Sequence, residues 1–389
     1  MKTVNILGST GSIGKTTLKV IAKHRDKFSI GVLTAQTSVK ELAQQAIDFG
    51  AKLAVIGDKT HYRALQEALS GHNIECAAGE QAIIDAAAHK ADITMAGIVG
   101  MAGLQSLMKA IEQGGIIALA NKEPLVAAGD LVLAACQKSG ATLLPVDSEH
   151  NAIFQCLEPD NKSAVERLVL TASGGPFRDW SLDKMMAATP EQALKHPNWD
   201  MGAKISIDSA TMMNKALEII EAHKLFDMPA SKIEVLVHPQ SIVHSMIEYC
   251  DGSVLCQMGA SDMCTPITNV MGWPHRIESA GEKLDLKTLS ELTFKPVDES
   301  RFPSVRMAYD CLNSGLGACI TLNAANEVAV AAFLDHKIAF LDIYKITARA
   351  LDKLDTAPLN SLNDIVNYDI VSRLKAESVL DALTLGHVV

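Results

Sequence analysis

The sequence predicts an α/β protein with an N-terminal Rossmann-like, doubly wound parallel sheet, a central α+β domain and a C-terminal helical domain. Three observations support this prediction. Short apolar runs alternate with helical patterns up to about residue 145, as in parallel sheets with crossover helices. A glycine-rich loop, Gly8–Gly14, follows the first apolar run and opens a helical pattern. After Asp147 the strands have irregular connections, and from about residue 304 the pattern is almost wholly helical.

The first domain is predicted to cover residues 1–145. Its strand candidates are Val4–Leu7, Ile30–Leu33, Leu53–Ile56, Ile93–Ala96, Ile116–Ala120 and Leu143–Pro145. Its helix candidates include Thr16–Lys23, Val39–Phe49, Tyr62–Leu69, Leu104–Gln113 and Leu131–Ser139. Strands and helices that alternate in this way predict a parallel sheet covered on both faces.

The second domain is predicted to cover residues 146–275 and to end at Gly272-Trp273-Pro274. Its predicted strands are Arg167–Thr171, Lys204–Ile207, Glu234–Val237, His244–Glu248 and Val254–Met258. A polar linker is predicted for residues 276–303, and a helical domain for residues 304–389. The predicted helices of that last domain are Ala324–Asp335, Phe340–Leu354 and Ile365–Leu383.

Composition and charge restrict the class of protein. The net charge is -10 and no basic block occurs, which argues against a nucleic-acid partner. No apolar run approaches the ~18 residues of a membrane span, and the N-terminus lacks the pattern of a signal peptide. The eight cysteines form no CxxC pair and mostly have apolar neighbours. They are typical of reduced thiols in a cytoplasmic protein.

The loop Gly8–Gly14 reads GSTGSIG and joins a strand to a helix, the context that a dinucleotide pyrophosphate requires. A tight turn without a ligand is the alternative, because a glycine triplet alone is weak evidence. Residues 34–38 contain no acidic side chain that would repel a 2′-phosphate, and no arginine that would attract it. The nearest cation is Lys40. The sequence therefore favours NADP over NAD.

The segment from His196 to Glu218 has the highest concentration of chemically useful side chains. Apolar spacing predicts an amphipathic helix from Thr211 onward, with Ser209 as its cap. Three polar residues gather on one face of that helix: Asn214, Lys215 and Glu218. An ammonium, an amide, hydroxyls and a carboxylate near a helix start suit a phosphate at one end and a metal at the other.

Two further carboxylates follow a strand at Asp147 and Glu149. In an extended chain they would project to the same side, although such a pair is often only a solvated strand end. Together with Glu218 they offer an all-oxygen site. This donor set favours Mg²⁺ or Mn²⁺ over zinc, because no cluster of cysteine or histidine competes.

Several other motifs are weaker individually. The turn at Ser173-Gly174-Gly175 is typical of an anion site or of an ordinary loop. His196 lies on a polar loop, where it binds a ligand or is simply solvated. Trp199 and its neighbours resemble a mobile flap that excludes water. Lys122 follows a strand of the first domain, where it contacts a substrate oxyanion or simply begins a helix. The two histidines of HPQSIVH, His238 and His244, fit a structural role.

Taken together, the motifs carry a resemblance that extends from end to end of the chain. They are GSTGSIG at 8–14, ANKE at 120–123, VDSEH at 146–150, SGGPF at 173–177, HPNW at 196–199, KISIDSATMMNKALE at 204–218, HPQSIVHS at 238–245 and TPI at 265–267. The chain resembles the 1-deoxy-D-xylulose 5-phosphate reductoisomerase family of the non-mevalonate isoprenoid pathway. That family makes 2-C-methyl-D-erythritol 4-phosphate by retro-aldol and aldol isomerisation followed by hydride transfer from NADPH.

The resemblance implies a role for each matched residue. The metal, Mg²⁺ or Mn²⁺, would be bound by Asp147, Glu149 and Glu218. The substrate phosphate would be held by Ser173, Ser209, Asn214 and Lys215, with His196 on the same ligand. Lys122 and Ser148 would meet the sugar-like portion, and the metal carboxylates Glu149 and Glu218 would also contact the substrate. NADPH would be contacted by Thr10, Gly11, Ser12, Ile13, Asn121, Glu123 and Gly202. The catalytic set would be Lys122, Asp147, Glu149, His196 and Glu218.

The resemblance also implies a homodimer and a catalytic domain with a flap at about residues 195–204. Composition and charge, as described above, predict a cytoplasmic protein with no membrane or nucleic-acid partner. The chain departs from the family pattern at three places. Gln36-Thr37-Ser38 stands where relatives usually carry Gly-Lys/Arg-Asn, Ala203 stands at an often basic position, and Ala216 replaces a glycine. The first departure puts tight recognition of the 2′-phosphate in doubt.

Two other hypotheses about function are compatible with some of the same residues. An ordinary NADP-dependent dehydrogenase of the semialdehyde or homoserine type would need the Rossmann half but no carboxylate triad, so its turnover would not depend on metal. A catalytically silent NADP-binding regulator would be expected to have a broken site. The sequence instead retains every matched polar residue of the proposed site.

Overall fold

The computed structural model describes residues 1–352, 354 and 358–386. Its strands are β1 Lys2–Leu7, β2 Phe28–Ala35, β3 Leu53–Ile56, β4 Glu75–Ala78, β5 Ile93–Ala96, β6 Ile116–Leu119, β7 Thr142–Pro145, β8 Val165–Ala172, β9 Ile233–Val237, β10 Val243–Tyr249, β11 Val254–Met258 and β12 Lys295–Pro296. Its helices are α1 Ser12–Lys23, α2 Val39–Phe49, α3 Tyr62–Ala68, α4 Glu80–Ala87, α5 Leu104–Ile111, α6 Glu123–Ser139, α7 Ser148–Cys156, α8 Leu182–Met186, α9 Pro190–Ala193, α10 Ala203–Ala210, α11 Met213–Leu225, α12 Cys264–Gly272, α13 Ser304–Ser314, α14 Leu316–Leu334, α15 Asp342–Leu351 and α16 Leu362–Thr384.

The chain divides into two compact units. The first unit comprises residues 1–124, 132–151 and 262–283. The second unit comprises residues 125–131, 152–261 and 284–389. Residues 262–283 therefore group with the first unit, although the sequence analysis assigns them to the central domain and the linker.

The first unit contains a seven-stranded, all-parallel sheet with the order β4-β3-β2-β1-β5-β6-β7. The predicted doubly wound fold is confirmed. Strand β1 lies in the middle, and the strand order reverses between β1 and β5. In such sheets, ligands bind outside the carboxyl ends of the strands at this reversal point.

One strand of this sheet, β4, and the helix α4 that follows it are absent from the prediction. Strand β4 lies at the sheet edge, where Glu75 is exposed and the next three residues are half-buried. Its apolar residues, Cys76, Ala77 and Ala78, are small and are not the β-branched or aromatic residues that favour strands. Helix α4, which follows, has only eight residues, so its helical pattern is short.

The second unit contains a five-stranded mixed sheet with the order β11-β10-β8-β9-β12. Strands β8 and β9 are parallel, and the other neighbouring pairs are antiparallel. Helix α11 and helices α13–α16 contribute buried side chains to the core of this unit. Large members of that core are Phe177, Leu217, Ile220, Leu322 and Phe333. This arrangement agrees with the predicted α+β region and C-terminal helices.

The predicted strand Lys204–Ile207 is wrong, because residues 203–210 form helix α10. The alternation of polar and apolar residues in Lys-Ile-Ser-Ile imitates a strand. The packed structure instead buries three consecutive residues, Ser206 to Asp208, as a helix in a protein interior does. Ser209 consequently lies inside α10 and is not a cap. Helix α11 begins at Met213, after Met212 in the left-handed conformation with φ of 60°.

Helices α14 and α16 begin earlier than predicted, at Leu316 and Leu362, and α15 is shorter than the predicted helix Phe340–Leu354. Lys353 of that predicted helix lies outside the described residues. Helix α14 is long and apolar enough to cross a membrane by length and composition, with a mean hydropathy of 1.4. However, 72% of that window is buried inside the protein. Such burial is typical of the core helix of a globular protein, so this helix is weak evidence for a membrane span.

Candidate active site

In the first unit, the loops at the carboxyl ends of β1, β6 and β7 carry predicted site residues. The loop after β1 has Gly8 at φ of 87°, and α1 starts at Ser12 with Gly11 as its cap. A Cβ on Gly14 would lie 2.4 Å from the backbone of Ser9. Glycine at this position therefore lets the helix approach the loop closely, as a dinucleotide turn requires. Thr10 and Ile13 are half-buried, and the two residues between them are exposed.

The loop after β5 is held by Asn121, which follows β6. The Asn121 amide donates to the carbonyl of Ile98 at 2.5 Å and to that of Gly100 at 2.9 Å. Asn121 and Glu123 are both nearly buried. Asn121 therefore shapes the rim of the predicted cofactor cleft through the backbone of residues 98–100.

Lys122 is buried, so the alternative interpretation, a surface lysine at the start of a helix, does not describe it. It is only 6% exposed, and its Nζ lies 2.9 Å from Oδ2 of Asp147. His150 is fully buried, and its Nδ1 lies 2.9 Å from the other carboxylate oxygen of Asp147. The Asp147 carboxylate at the end of β7 thus contacts both the Lys122 ammonium and the His150 ring. His150 has no predicted role, and its place after Asp147 and Glu149 is the one sequence signal that points to it.

Asp147 and Glu149 do not lie in an extended chain, because α7 begins at Ser148. The expectation that the two project to one side as in a strand is therefore wrong. Asp147 instead caps the helix and accepts from the backbone N–H groups of Glu149 and His150. The Ser148 hydroxyl donates to Glu149 at 2.6 Å. Both carboxylates are half-buried at the carboxyl edge of the sheet.

In the second unit, Ser173 and His196 meet although 23 residues separate them. The Ser173 Oγ lies 2.8 Å from Nε2 of His196. The Nδ1 of His196 accepts from the backbone N–H of Asn198 at 3.2 Å and of Trp199 at 2.9 Å. Because Nδ1 is an acceptor, the ring proton belongs on Nε2, which then donates to Ser173. His196 is therefore fixed by its own loop and is not simply solvated.

The glycine turn after β8 lies directly against the end of α10. Gly174 and Gly175 have φ of 80° and 67°, and a Cβ on Gly175 would lie 2.5 Å from the carbonyl of Ser209. Ser173 and Ser209 are thus held close together through this backbone contact. Both residues are half-buried.

Helix α11 brings its three polar residues together as predicted. Asn214 Nδ2 lies 2.5 Å from Oε1 of Glu218, and Lys215 Nζ lies 2.5 Å from Oε2. Glu218 is fully buried and Lys215 is 3% exposed. A buried charge is stable only when it is paired and hydrogen-bonded, and this cluster satisfies that condition.

The predicted flap is tied to the loop before β10. The side chain of Asn198 donates to the carbonyls of Pro239 and Gln240, each at 3.2 Å. Trp199 is half-buried, and its ring centroid lies 6.0 Å from that of His244. Gly202 is exposed at the start of α10. The flap is therefore anchored at Asn198 and open to solvent at its glycine.

His238 and His244 are buried, as a structural role requires. His238 Nδ1 pairs with the carbonyl of Thr293 at 2.9 Å, and its Nε2 accepts from Val243 N–H at 3.2 Å. The ring also stacks on Phe294. Burial lowers the pKa of His238, opposed by the bond to Thr293. This histidine is therefore held neutral.

Residues 36–38 after β2 are exposed, as is Lys40. The side chain of Gln36 covers Gly57, where a Cβ would lie 2.2 Å from its Oε1. Gln36 therefore leans toward β3. Thr37 and Ser38 are the polar side chains that remain beside the start of α2.

Three family models match the chain. One described as 1-deoxy-D-xylulose 5-phosphate reductoisomerase matches residues 4–129. Its C-terminal domain model matches residues 143–226, and a second C-terminal domain model matches residues 258–375.

Individual relatives are similar over nearly the whole chain. The 1-deoxy-D-xylulose 5-phosphate reductoisomerases of Zymomonas mobilis and Rhodospirillum centenum are each 51% identical over 382 residues, which is 98% of this chain and 98% and 95% of theirs. A solved structure of the Zymomonas mobilis enzyme in complex with NADPH aligns with a TM-score of 0.92 at 50% identity, covering 98% of this chain and 99% of that one. A DOX-P reductoisomerase in complex with NADPH, fosmidomycin and magnesium aligns with a TM-score of 0.93 at 41% identity, again covering 98% and 99%.

Proposed function

The chain belongs to the 1-deoxy-D-xylulose 5-phosphate reductoisomerase family, and from this premise we propose which of its residues carry the reaction. It is an NADPH- and divalent-metal-dependent oxidoreductase of isoprenoid biosynthesis. It rearranges and reduces 1-deoxy-D-xylulose 5-phosphate to 2-C-methyl-D-erythritol 4-phosphate.

The observation that carries the proposal is the pairing of Lys215 with Glu218 on α11. A buried ammonium and a buried carboxylate stand side by side, at 2.5 Å. The ammonium suits the substrate phosphate, and the carboxylate suits a divalent metal. The proposed phosphate anchor consists of Ser173, His196, Ser209, Asn214 and Lys215. Holding the phosphate keeps both fragments in place during a retro-aldol and aldol rearrangement.

The metal ligands are proposed to be Asp147, Glu149 and Glu218. The donor set fits Mg²⁺ or Mn²⁺, because it consists of carboxylate oxygens that are already oriented by hydrogen bonds within their own helices. A divalent ion bound there supplies Lewis acidity to adjacent oxygens of the substrate. Lys122 and Ser148 are proposed to meet the same part of the substrate, with the Lys122 charge placed to stabilise negative oxygen.

NADPH supplies the hydride, and the loop after β1 is proposed to hold its pyrophosphate at the start of α1. The proposed contacts are Thr10, Gly11, Ser12, Ile13, Asn121, Glu123 and Gly202. The backbone N–H groups of α1 offer positive potential there. The flap at about residues 195–204 is proposed to close over the substrate and to exclude water during hydride transfer.

The proposed binding roles are distributed over the predicted domains. We assign cofactor binding to residues 1–145, with Gly202 as an added contact, and the metal, substrate and flap to residues 146–275, with Lys122 as an added contact. Residues 276–303 are assigned as a linker and residues 304–389 as a helical support.

We also propose that the protein is a cytoplasmic homodimer. Strand β11 lies at the edge of its sheet, with Val254 53% and Leu255 39% exposed. An exposed apolar edge strand is a surface that a second copy can cover. All eight cysteines lie in the described part of the chain and are free thiols, which fits a reducing compartment. Neither a nucleic acid nor a membrane is proposed as a partner.

One assay tests the central assignment. Oxidation of NADPH by the purified protein is followed with 1-deoxy-D-xylulose 5-phosphate after chelation, and again after Mn²⁺ is restored. We expect turnover only with metal. Turnover that persists in the chelated protein would favour an ordinary dehydrogenase.

A further inference from the structure

Helix α10 is joined to the C-terminal helices through one buried carboxylate. Asp208 on α10 is 1% exposed. Its Oδ1 accepts a hydrogen bond from Asn326 of α14 at 2.8 Å, and its Oδ2 lies 2.7 Å from Nζ of Lys204. A hydrogen bond to a buried charge is stronger than one between neutral groups. This bond therefore fixes α10 against α14.

The amide of Asn326 lies in an unfavourable place for a polar group. The residue is fully buried on an apolar helix, and its Oδ1 has no hydrogen-bond partner among the described residues. A buried polar atom without a partner destabilises a protein, and an apolar side chain of similar size would avoid that penalty. The interaction that the amide gains in this position is its bond to Asp208.

Helix α14 is itself a firm support. Thr321 and Ser372 are hydrogen-bonded at 3.0 Å between α14 and α16. Arg373 of α16 bridges Glu327 of α14 and Asp369, each at 2.7 Å. Because these contacts hold α14 in the helical layer, the hydrogen bond from Asn326 gives α10 a fixed reference point.

The residue after Asp208 is Ser209, and its carbonyl lies against Gly175 with no space for a Cβ. The turn that carries Ser173 is therefore in close contact with the end of α10. A shift of α10 would change the separation of the two serines. Misplacement of a binding group by about 1 Å can reduce activity by about 100-fold.

We propose that Asp208 and Asn326 are positioning residues for the substrate phosphate. They hold α10 so that Ser209 faces the ligand beside Ser173 while the flap, which enters the same helix at Gly202, moves. Neither residue contacts the substrate. The inference rests on the proposed assignment of Ser209 to the phosphate.

The chain offers a matched control. Asn323, one turn earlier on α14, is also fully buried with an Oδ1 that has no partner in the described residues. Its Nδ2 donates to Glu327 at 3.0 Å and not to α10. Asn323→Leu and Asn326→Leu therefore make the same chemical change in the same helix, but only the second breaks the bond to Asp208.

The experiment compares both variants with the wild type by steady-state kinetics, thermal unfolding and calorimetric titration with inorganic phosphate. For Asn326→Leu we expect KM for the sugar phosphate and Kd for phosphate to rise about tenfold. KM for NADPH should stay within about twofold. Asn323→Leu should leave both phosphate constants unchanged.

Equal effects of the two variants on phosphate binding, or a change in Tm alone, would overturn the proposal. If Asn326→Leu does not fold, Asp208→Asn provides the second test. It preserves an acceptor for Asn326 but removes the charge, so phosphate binding should weaken in the same direction. An unchanged Kd in folded Asp208→Asn would also overturn the proposal. Phosphate binding is measured without turnover, so a wild type that fails to convert the sugar phosphate refutes the proposed function alone.

Discussion

Lys215 Nζ lies 2.5 Å from a carboxylate oxygen of Glu218, three residues further along α11. Both side chains are almost completely buried, so each charge compensates the other. The pair links the two halves of the proposed chemistry, because one member is assigned to the phosphate and the other to the metal. Replacing either residue should therefore affect a different ligand.

Glu218→Gln should lower turnover by orders of magnitude and leave the affinity for NADPH nearly unchanged. The amide keeps the size of the side chain but removes the negative charge that a divalent cation requires. Metal titration of activity, with NADPH affinity measured in parallel, checks this. If added metal restores near wild-type activity to the variant, Glu218 is not a metal ligand.

Lys215→Ala should weaken binding of the phosphorylated substrate by roughly 2–4 kcal/mol, as for a lost charge-assisted contact. It should also reduce stability, since Glu218 would lose its buried partner. Affinity for the unphosphorylated sugar serves as the control. If that affinity falls equally, Lys215 does not recognise phosphate.

Trp199 should report closure of the flap. The indole is half-buried beside His244, so a ligand that draws the flap down should change its environment and its fluorescence. Trp180 and Trp273 are replaced by phenylalanine to isolate the signal. Emission is recorded during titration with substrate or a phosphonate analogue. A spectrum that stays constant to saturation would count against closure over the site.

Thr37→Arg should widen the preference for NADPH over NADH. Residues 36–38 carry no positive charge, and Gln36 leans over Gly57, which leaves Thr37 and Ser38 beside the start of α2. A charge-assisted contact contributes about 1.5–3 kcal/mol, and each 1.4 kcal/mol is about tenfold in affinity. The prediction is checked by measuring kcat/KM for NADPH and for NADH in the wild type and in Thr37→Arg. The wild type should still prefer NADPH, and no gain in the variant would mean that the 2′-phosphate binds elsewhere.

His238 should make the protein less stable at mildly acidic pH. Burial lowers its pKa in the folded state, so below its usual value of about 6.5 the unfolded chain binds a proton that the folded chain does not. The free energy of unfolding therefore falls as pH drops through that value. His238→Gln keeps a donor and an acceptor but cannot titrate there. Urea unfolding at several pH values should show a shallower decline for the variant, and parallel declines would contradict this.

The first sheet could be predicted well because parallel strands are buried on both faces and read as continuous apolar runs. Strands β3 and β5 have the predicted ends. The edge strand β4 gives only a weak signal, because its apolar residues are the small side chains of Cys76, Ala77 and Ala78. The segment of helix α10 is predicted as a strand because Lys-Ile-Ser-Ile fits the strand period as well as the helix period. Contacts from distant residues, including the bond from Asn326 to Asp208, decide in favour of the helix.

In the candidate site, the cluster of Asn214, Lys215 and Glu218 follows from their spacing on one helix, but pairings between residues distant in the sequence could not be predicted. Lys122 and Asp147 are 25 residues apart, and they meet because β6 and β7 are neighbours with the same direction. Ser173 and His196 meet through a loop whose course no periodicity encodes. The partners that support the site, such as His150 and Asp208, lie beside recognised motifs and carry no pattern of their own.

The central place of β1 has a consequence for the order in which the sheet can assemble. Its neighbour β2 begins about twenty residues later, at Phe28, but its other neighbour β5 begins only at Ile93. During synthesis, the strand that carries the nucleotide loop therefore keeps one unpaired edge until residues 93–96 have left the ribosome. Contacts between residues far apart in sequence form slowly, and unpaired strand edges favour aggregation. The strand that carries the proposed cofactor loop can therefore be paired on both sides only after β2, β3, β4 and β5 have all been made.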